Sequence, residues 1–103
     1  MSNVNITELV DRTRSLARDL IGDTDRMYEQ MVASKIRWKA AEKVLQTAFH
    51  VRADFSDMKD LVVELENAYT NKRSEYRYYN SKLKILTAAL KDLQEANVSG
   101  LLE

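Results

Sequence analysis

The stretch MKDLVVELENAYTNKRSEYRYYNSKLKILTAALKDLQEAN, residues 58–97, decides the fold. Met58, Val62, Leu65, Tyr69, Lys72, Tyr76, Tyr79, Leu83, Leu86, Leu90, Leu93 and Asn97 follow one another in strict steps of four and three. An α-helix completes a turn in about 3.6 residues, so these steps keep one stripe on one face. A stripe sustained over this length is the mark of a coiled-coil seam. The run Thr70-Asn71-Lys72-Arg73-Ser74 is a weak point, because Thr70, Asn71 and Ser74 are poor helix formers. The phase runs through them, so one helix is expected, about 60 Å long at 1.5 Å per residue.

Moving toward the N-terminus, Asp54-Phe55-Ser56-Asp57 reads as a turn. Asp54 or Ser56 can cap the helix that follows, and Asp57 and Asp60 favour its positive end. Ahead of the turn, Met27, Met31, Ser34, Trp38, Ala41, Leu45, Ala48, Arg52 and Phe55 repeat the four-three spacing. Further back, Asn5-Ile6-Thr7-Glu8 reads as a capping box opening another helix. Its stripe is Ile6, Leu9, Leu16 and Leu20, widened by Val10, Ala17 and Ile21. Gly22-Asp23-Thr24-Asp25 then interrupts, as a stop and restart or as a kink, because the apolar phase slips there by four residues in the manner of a stutter.

The expected fold is therefore all-α: a long antiparallel helical hairpin (coiled coil) with an additional N-terminal helix, assembling into a helical-bundle oligomer. It forms one helical domain over 1–103, with helices at about 6–21, about 24–53 and about 57–97 and a loose tail at 98–103. Composition agrees. The chain has no proline and two glycines, Gly22 and Gly100, while 31% of its residues are charged and 45% hydrophobic, far from a disordered composition.

With the turn at Asp54–Ser56, Ala48 faces Val62, Ala41 faces Tyr69, Ser34 faces Tyr76 and Met31 faces Tyr79, setting small side chains against large ones. Trp38 then faces Lys72, a cation–π arrangement that accounts for a lysine in the seam. The same register opposes Lys35 to Arg73 and Glu42 to Glu66. A turn at His50–Ala53 brings Lys35 to Glu66 and Glu42 to Lys59 instead, a gain of only about 0.3–0.5 kcal/mol per pair. Size complementarity and turn chemistry favour the first register. If the chain runs on past Gly22, the N-terminal helix lies against Leu86–Leu93, and if it does not, that helix folds back.

Several function classes are excluded or demoted. Without cysteine there is neither a disulfide nor a thiolate metal site. His50 is the lone histidine and reads as an exposed helix-end residue. Asp54, Asp57, Asp60, Glu64 and Glu66 lack the glycine and alternating ligand spacing of a calcium loop. No Ser-His-Asp set, phosphate loop or acid pair can be assembled, so no catalytic residue, cofactor or metal is expected. No apolar run approaches the roughly 20 residues of a membrane span, and Met1–Glu8 does not read as a signal peptide. A cytoplasmic protein is expected.

Two surfaces remain. Val44, Val51, Leu61 and Ala68 flank the seam on one side near the turn, and Ile36 and Ala40 extend that face. Val10, Ala17, Ile21 and Tyr28 form a second stripe. Faces this apolar need a cover. The first is the candidate assembly surface of a homo-oligomer. The leading function is accordingly a non-enzymatic helical interaction protein, of adaptor or inhibitor type, that oligomerises and binds another macromolecule. The alternative uses Lys35, Lys39 and Lys43 with Arg73 and Arg77, amid Tyr76, Tyr78 and Tyr79, as an anion patch for nucleic acid or a nucleotide. With 16 basic and 16 acidic residues and no net charge, that patch lacks the usual basic imbalance.

Overall fold

The computed structural model describes residues 5–99 and is an all-α helical hairpin of two elements. Helix α1 spans Ile6–His50 and helix α2 spans Met58–Ser99. The start of α1 follows the cap chemistry of its sequence. Asn5 Oδ1 accepts the Glu8 N–H at 2.7 Å, and the Asn5 carbonyl accepts the Leu9 N–H at 3.0 Å. The Glu8 carboxylate does not close a capping box but pairs with Arg12 at 2.9 Å.

The separate N-terminal helix and the interruption at Gly22 do not exist. Residues 6–21 and 24–53 were expected as two helices, and α1 runs unbroken from Ile6 to His50. Its buried positions, Val10, Ala17, Thr24, Ser34 and Ala48, and the half-buried Ile6, Thr13, Leu20, Met27, Met31, Trp38, Ala41 and Leu45 form a single four-three series. No phase slip occurs. Leu9 and Leu16, expected in the stripe, are exposed beside it, while Val10 and Ala17 belong to the seam itself. Thr13 and Thr24 hold the seam places because each hydroxyl donates back to the carbonyl four residues earlier: Thr13 to Leu9 at 2.7 Å and Thr24 to Leu20 at 2.6 Å. A satisfied hydroxyl leaves the methyl group to pack.

Helix α1 ends three residues earlier than expected. Arg52 adopts the left-handed conformation, with φ 57°. The Ala53 N–H reaches the Ala48 carbonyl at 2.9 Å and the Arg52 N–H reaches Phe49 at 3.2 Å. Those two bonds are a Schellman termination, built here on an arginine where glycine is usual. Arg52 and Phe55, expected as the end of the seam, stand exposed in the connection. Arg52→Gly is therefore expected to raise stability by about 0.5–1 kcal/mol, since it relieves a Cβ clash that exceeds the added chain entropy. A thermal melt measures it, and a lowered midpoint would show that the left-handed turn is not formed.

In the connection, Asp54 Oδ1 accepts the Ser56 N–H at 3.1 Å. The Ser56 hydroxyl first, and its N–H second, hold the Asp54 carboxyl below the usual carboxylate range. A lowered folded value means that this contact contributes at pH above the unfolded carboxylate value and is lost as pH falls through the lowered one. The Phe55 carbonyl then accepts the Met58 N–H at 2.9 Å, which starts α2. From Met58 through Leu93 every expected seam place of α2 is half-buried or buried, uninterrupted by Thr70–Ser74, and Asn80 is half-buried beside Tyr79. The tail expected at 98–103 is helical through Ser99, and residues 100–103 lie outside the described residues.

The hairpin divides into two compact units, one combining Met1–Asp25 with Tyr78–Glu103, the other Arg26–Arg77. In the first, Arg14 lies against Gln94: with the Gln94 amide oxygen toward it, the guanidinium donates at 2.7 and 3.1 Å. That pairing falls one residue beyond Leu86–Leu93, the stretch expected to face this part of the chain if it continues past Gly22. In the second, Trp38 stacks on Tyr69, with ring centroids 5.5 Å apart and 22° between planes. Trp38 does not face Lys72. The lysine above its ring is Lys39, 4.1 Å from the centroid. Lys72 donates to Gln30 at 3.0 Å and pairs with Glu75 at 3.6 Å, and Tyr76 meets Tyr28 at 5.4 Å. The level set by Trp38 and Tyr69 lies between the two registers weighed from the sequence, because the chain connection takes up 51–57 rather than either short turn.

Candidate assembly surface

If the seam places are lettered a and d of a heptad, Trp38, Leu45, Val62 and Tyr69 are a, and Ala41, Ala48 and Leu65 are d. Val44 and Val51 on α1, and Leu61 and Ala68 on α2, all fall at g. In an antiparallel pair the g places of both helices share one side. The four residues thus form a strip along one face of the Arg26–Arg77 unit, and all are exposed: Val44 48%, Val51 68% and Leu61 41%. Such exposure of branched aliphatics side by side is unusual for a lone soluble chain. Ala40, at c, borders the strip. Ile36, at f, is 63% exposed and faces away from the seam, so it lies at the margin of the face rather than within it.

Beside Val44 the surface sinks into an open groove of about 460 Å³, lined by Ala40, Lys43, Val44, Thr47, Ala48, Val51 and Phe55. A second open groove, about 410 Å³, lies around the connection between Phe49 and Phe55. Lys43 and Thr47 were not part of the expected assembly surface. Their places, f and c, adjoin the g strip, and heptad lettering alone identifies them as its rim.

The candidate anion patch is less of a unit than the strip. Lys35, Lys39 and Lys43 fall at e, b and f, so the row drifts by about 80° across the outer face of α1 and Lys43 ends at the rim of the strip. Lys35 and Arg73 are both at e, on the side opposite the strip, and Lys39 and Arg77 are both at b. Lys39 is engaged by the Trp38 ring and by Glu42 at 3.5 Å. The Tyr76 ring sits at a seam place against Tyr28. Tyr78 belongs to the other unit, where it meets Tyr79 edge-on and carries Lys82 4.3 Å above its ring.

Among the described residues, no cluster of three potential metal ligands occurs and no helix is long and apolar enough to cross a membrane. No protein-family model matches this chain, and no curated protein or solved structure shows significant similarity to it.

Proposed function

We propose that this chain is a non-enzymatic helical interaction protein that self-assembles through the Val44/Val51/Leu61/Ala68 strip and, once assembled, presents its remaining helical faces to another macromolecule. The exposed strip carries the reading. The area of the chain supports it. Among the described residues the buried hydrophobic ones are few (Val10, Ala17, Ala48 and Val62), and no large side chain is fully buried. The chain exposes 7931 Å², where a compact monomer of 11.9 kDa exposes about 6,000 Å². The excess, about 2,000 Å² per chain and so about 4,000 Å² per pair, lies in the range that obligate dimers bury. Zero net charge leaves no global repulsion to oppose it.

Capture of a nucleic acid or nucleotide stands second. Trp38 and Tyr76 already have aromatic partners inside the hairpin and Lys39 already has a carboxylate, so Lys35, Lys43, Arg73 and Arg77 would have to carry such binding without those two rings as a stacking platform.

Absolute mass by light scattering tests the proposal. The wild-type chain is expected at twice 11.9 kDa or a higher multiple, and Val44→Asp and Leu61→Asp at the mass of one chain, because a carboxylate placed in an apolar interface costs several kcal/mol. A wild-type monomer, or both variants at the wild-type mass, overturns it.

A further inference from the structure

The rim of the strip carries opposite signs on its two sides. On α1 between Ala33 and Val51, the c, f and g places hold Arg37, Lys43 and His50 and no carboxylate. On α2 between Asp57 and Glu75, the same places hold Asp57, Asp60, Glu64 and Glu75 and no cation. All seven are exposed. Two hairpins packed strip to strip have two simple two-fold solutions. An axis across the helices lays α1 on α1 and α2 on α2, so that basic rim meets basic rim. An axis along the helices lays α1 of one copy on α2 of the other, with both turns at the same end, so that every basic rim meets an acidic one. Like charges brought together across an interface are unfavourable, and complementary ones set its orientation.

We infer that the partner of the strip is a second copy of this chain, related by a two-fold axis parallel to the helices, with α1 of each copy over α2 of the other. This rests on the assembly surface proposed above and specifies its geometry. The shape of the surface agrees with the charge. Two turns toward the connection from the Trp38–Tyr69 stack, Leu45 is level with Val62, which places exposed Leu61 level with the apolar groove beside Val44. With the axis along the helices, Leu61 of each copy enters that groove on the other as a knob enters a hole. Lys43 then comes level with Glu64 of the second copy and His50 with its Asp57. Each contact occurs twice, as a self-complementary interface requires.

The chain contains no cysteine, so Glu29→Cys carries one spin label per copy at an exposed f place of α1. With the axis along the helices the two labels sit at one level, separated by the width of the bundle, on the order of 30 Å. With the axis across them, each label lies about 27 Å from a centre near Thr47 and the pair is about 55 Å or more apart. The short distance is expected. Lys43→Glu and Glu64→Lys are each expected to raise the dimer dissociation constant about tenfold, and the double exchange to return it to within about threefold of wild type. A dimer that Val44→Asp dissociates, but with the long label distance and no response to either charge reversal, overturns the orientation and leaves the strip standing. A wild-type monomer, or a dimer that survives Val44→Asp, overturns both.

Discussion

Replacing Trp38 by alanine is expected to cost about 3 kcal/mol of folding stability, at the lower end of the range for a large aromatic because part of the residue remains in contact with solvent. The indole forms one face of the stack with Tyr69, its other surroundings are the seam and the Lys39 ammonium, and no other tryptophan exists in the chain to take its place. Trp38→Phe is expected to behave quite differently. The indole N–H is buried and has no acceptor, and an unsatisfied buried donor itself costs about 1–3 kcal/mol. Phenylalanine keeps a ring against Tyr69 and removes that donor, so the lost area and the relieved penalty nearly offset. A net change within about 1 kcal/mol follows. Urea unfolding followed by circular dichroism measures both variants, at one chain concentration because assembly adds to apparent stability. If phenylalanine costs as much as alanine, the N–H has an acceptor in solution. If alanine costs under about 1 kcal/mol, the stack, and the register it sets, is absent.

The way these residues were readable from sequence follows from what each one contributes. From Met58 to Leu93 every seam place of α2 but Lys72 holds Leu, Tyr, Val or Met, and Lys72 keeps its phase between Tyr69 and Tyr76, so apolar spacing alone recovers the helix. In α1 the seam passes through Thr13 and Thr24, polar residues by type, while Leu9 and Leu16 stand next to it and are exposed. An apolar count follows the leucines and invents a slip. Only the hydrogen bonds back to Leu9 and Leu20 show the threonines to be packable. The end of α1 was hidden for a related reason. The left-handed residue that terminates it is Arg52, which carries none of the signal that glycine gives. For the strip, the heptad identified all four g residues, because exposure beside a seam is a matter of angle alone. Its charged rim was equally open to reading, by sorting the c and f places by sign. The anion patch was harder: steps of four drift by about 40° each on a 3.6-residue helix, which carries Lys43 to the rim of the strip, and although the i,i+3 spacing to Glu42 gives Lys39 a local partner, the meeting of Tyr76 with Tyr28 depends on the cross-helix register.

Gly22 separates the continuous helix from the interrupted one by two substitutions of opposite sign. It occupies an exposed f place within α1, and a Cβ built on it meets nothing within 4 Å. Gly22→Ala is therefore expected to stabilise the chain by about 0.8–1 kcal/mol, the difference between the two residues in a solvated helix interior, with no packing term to oppose it. Gly22→Pro is expected to cost about 3 kcal/mol or more. Proline removes the N–H that would bond to the Arg18 carbonyl and drives its ring against that same group. The loss should appear both in the unfolding midpoint and as reduced helical ellipticity, because a kink at residue 22 pulls Ala17 and Thr24, both buried in the seam, out of phase with each other. An interrupted chain gives the reverse pattern. A glycine ending one helix in the left-handed conformation resists alanine by about 1 kcal/mol, and a connection between helices accepts proline with little change. Alanine up and proline down supports one helix from Ile6 to His50. Alanine down with proline tolerated restores a break at Gly22, and with it a separate N-terminal helix.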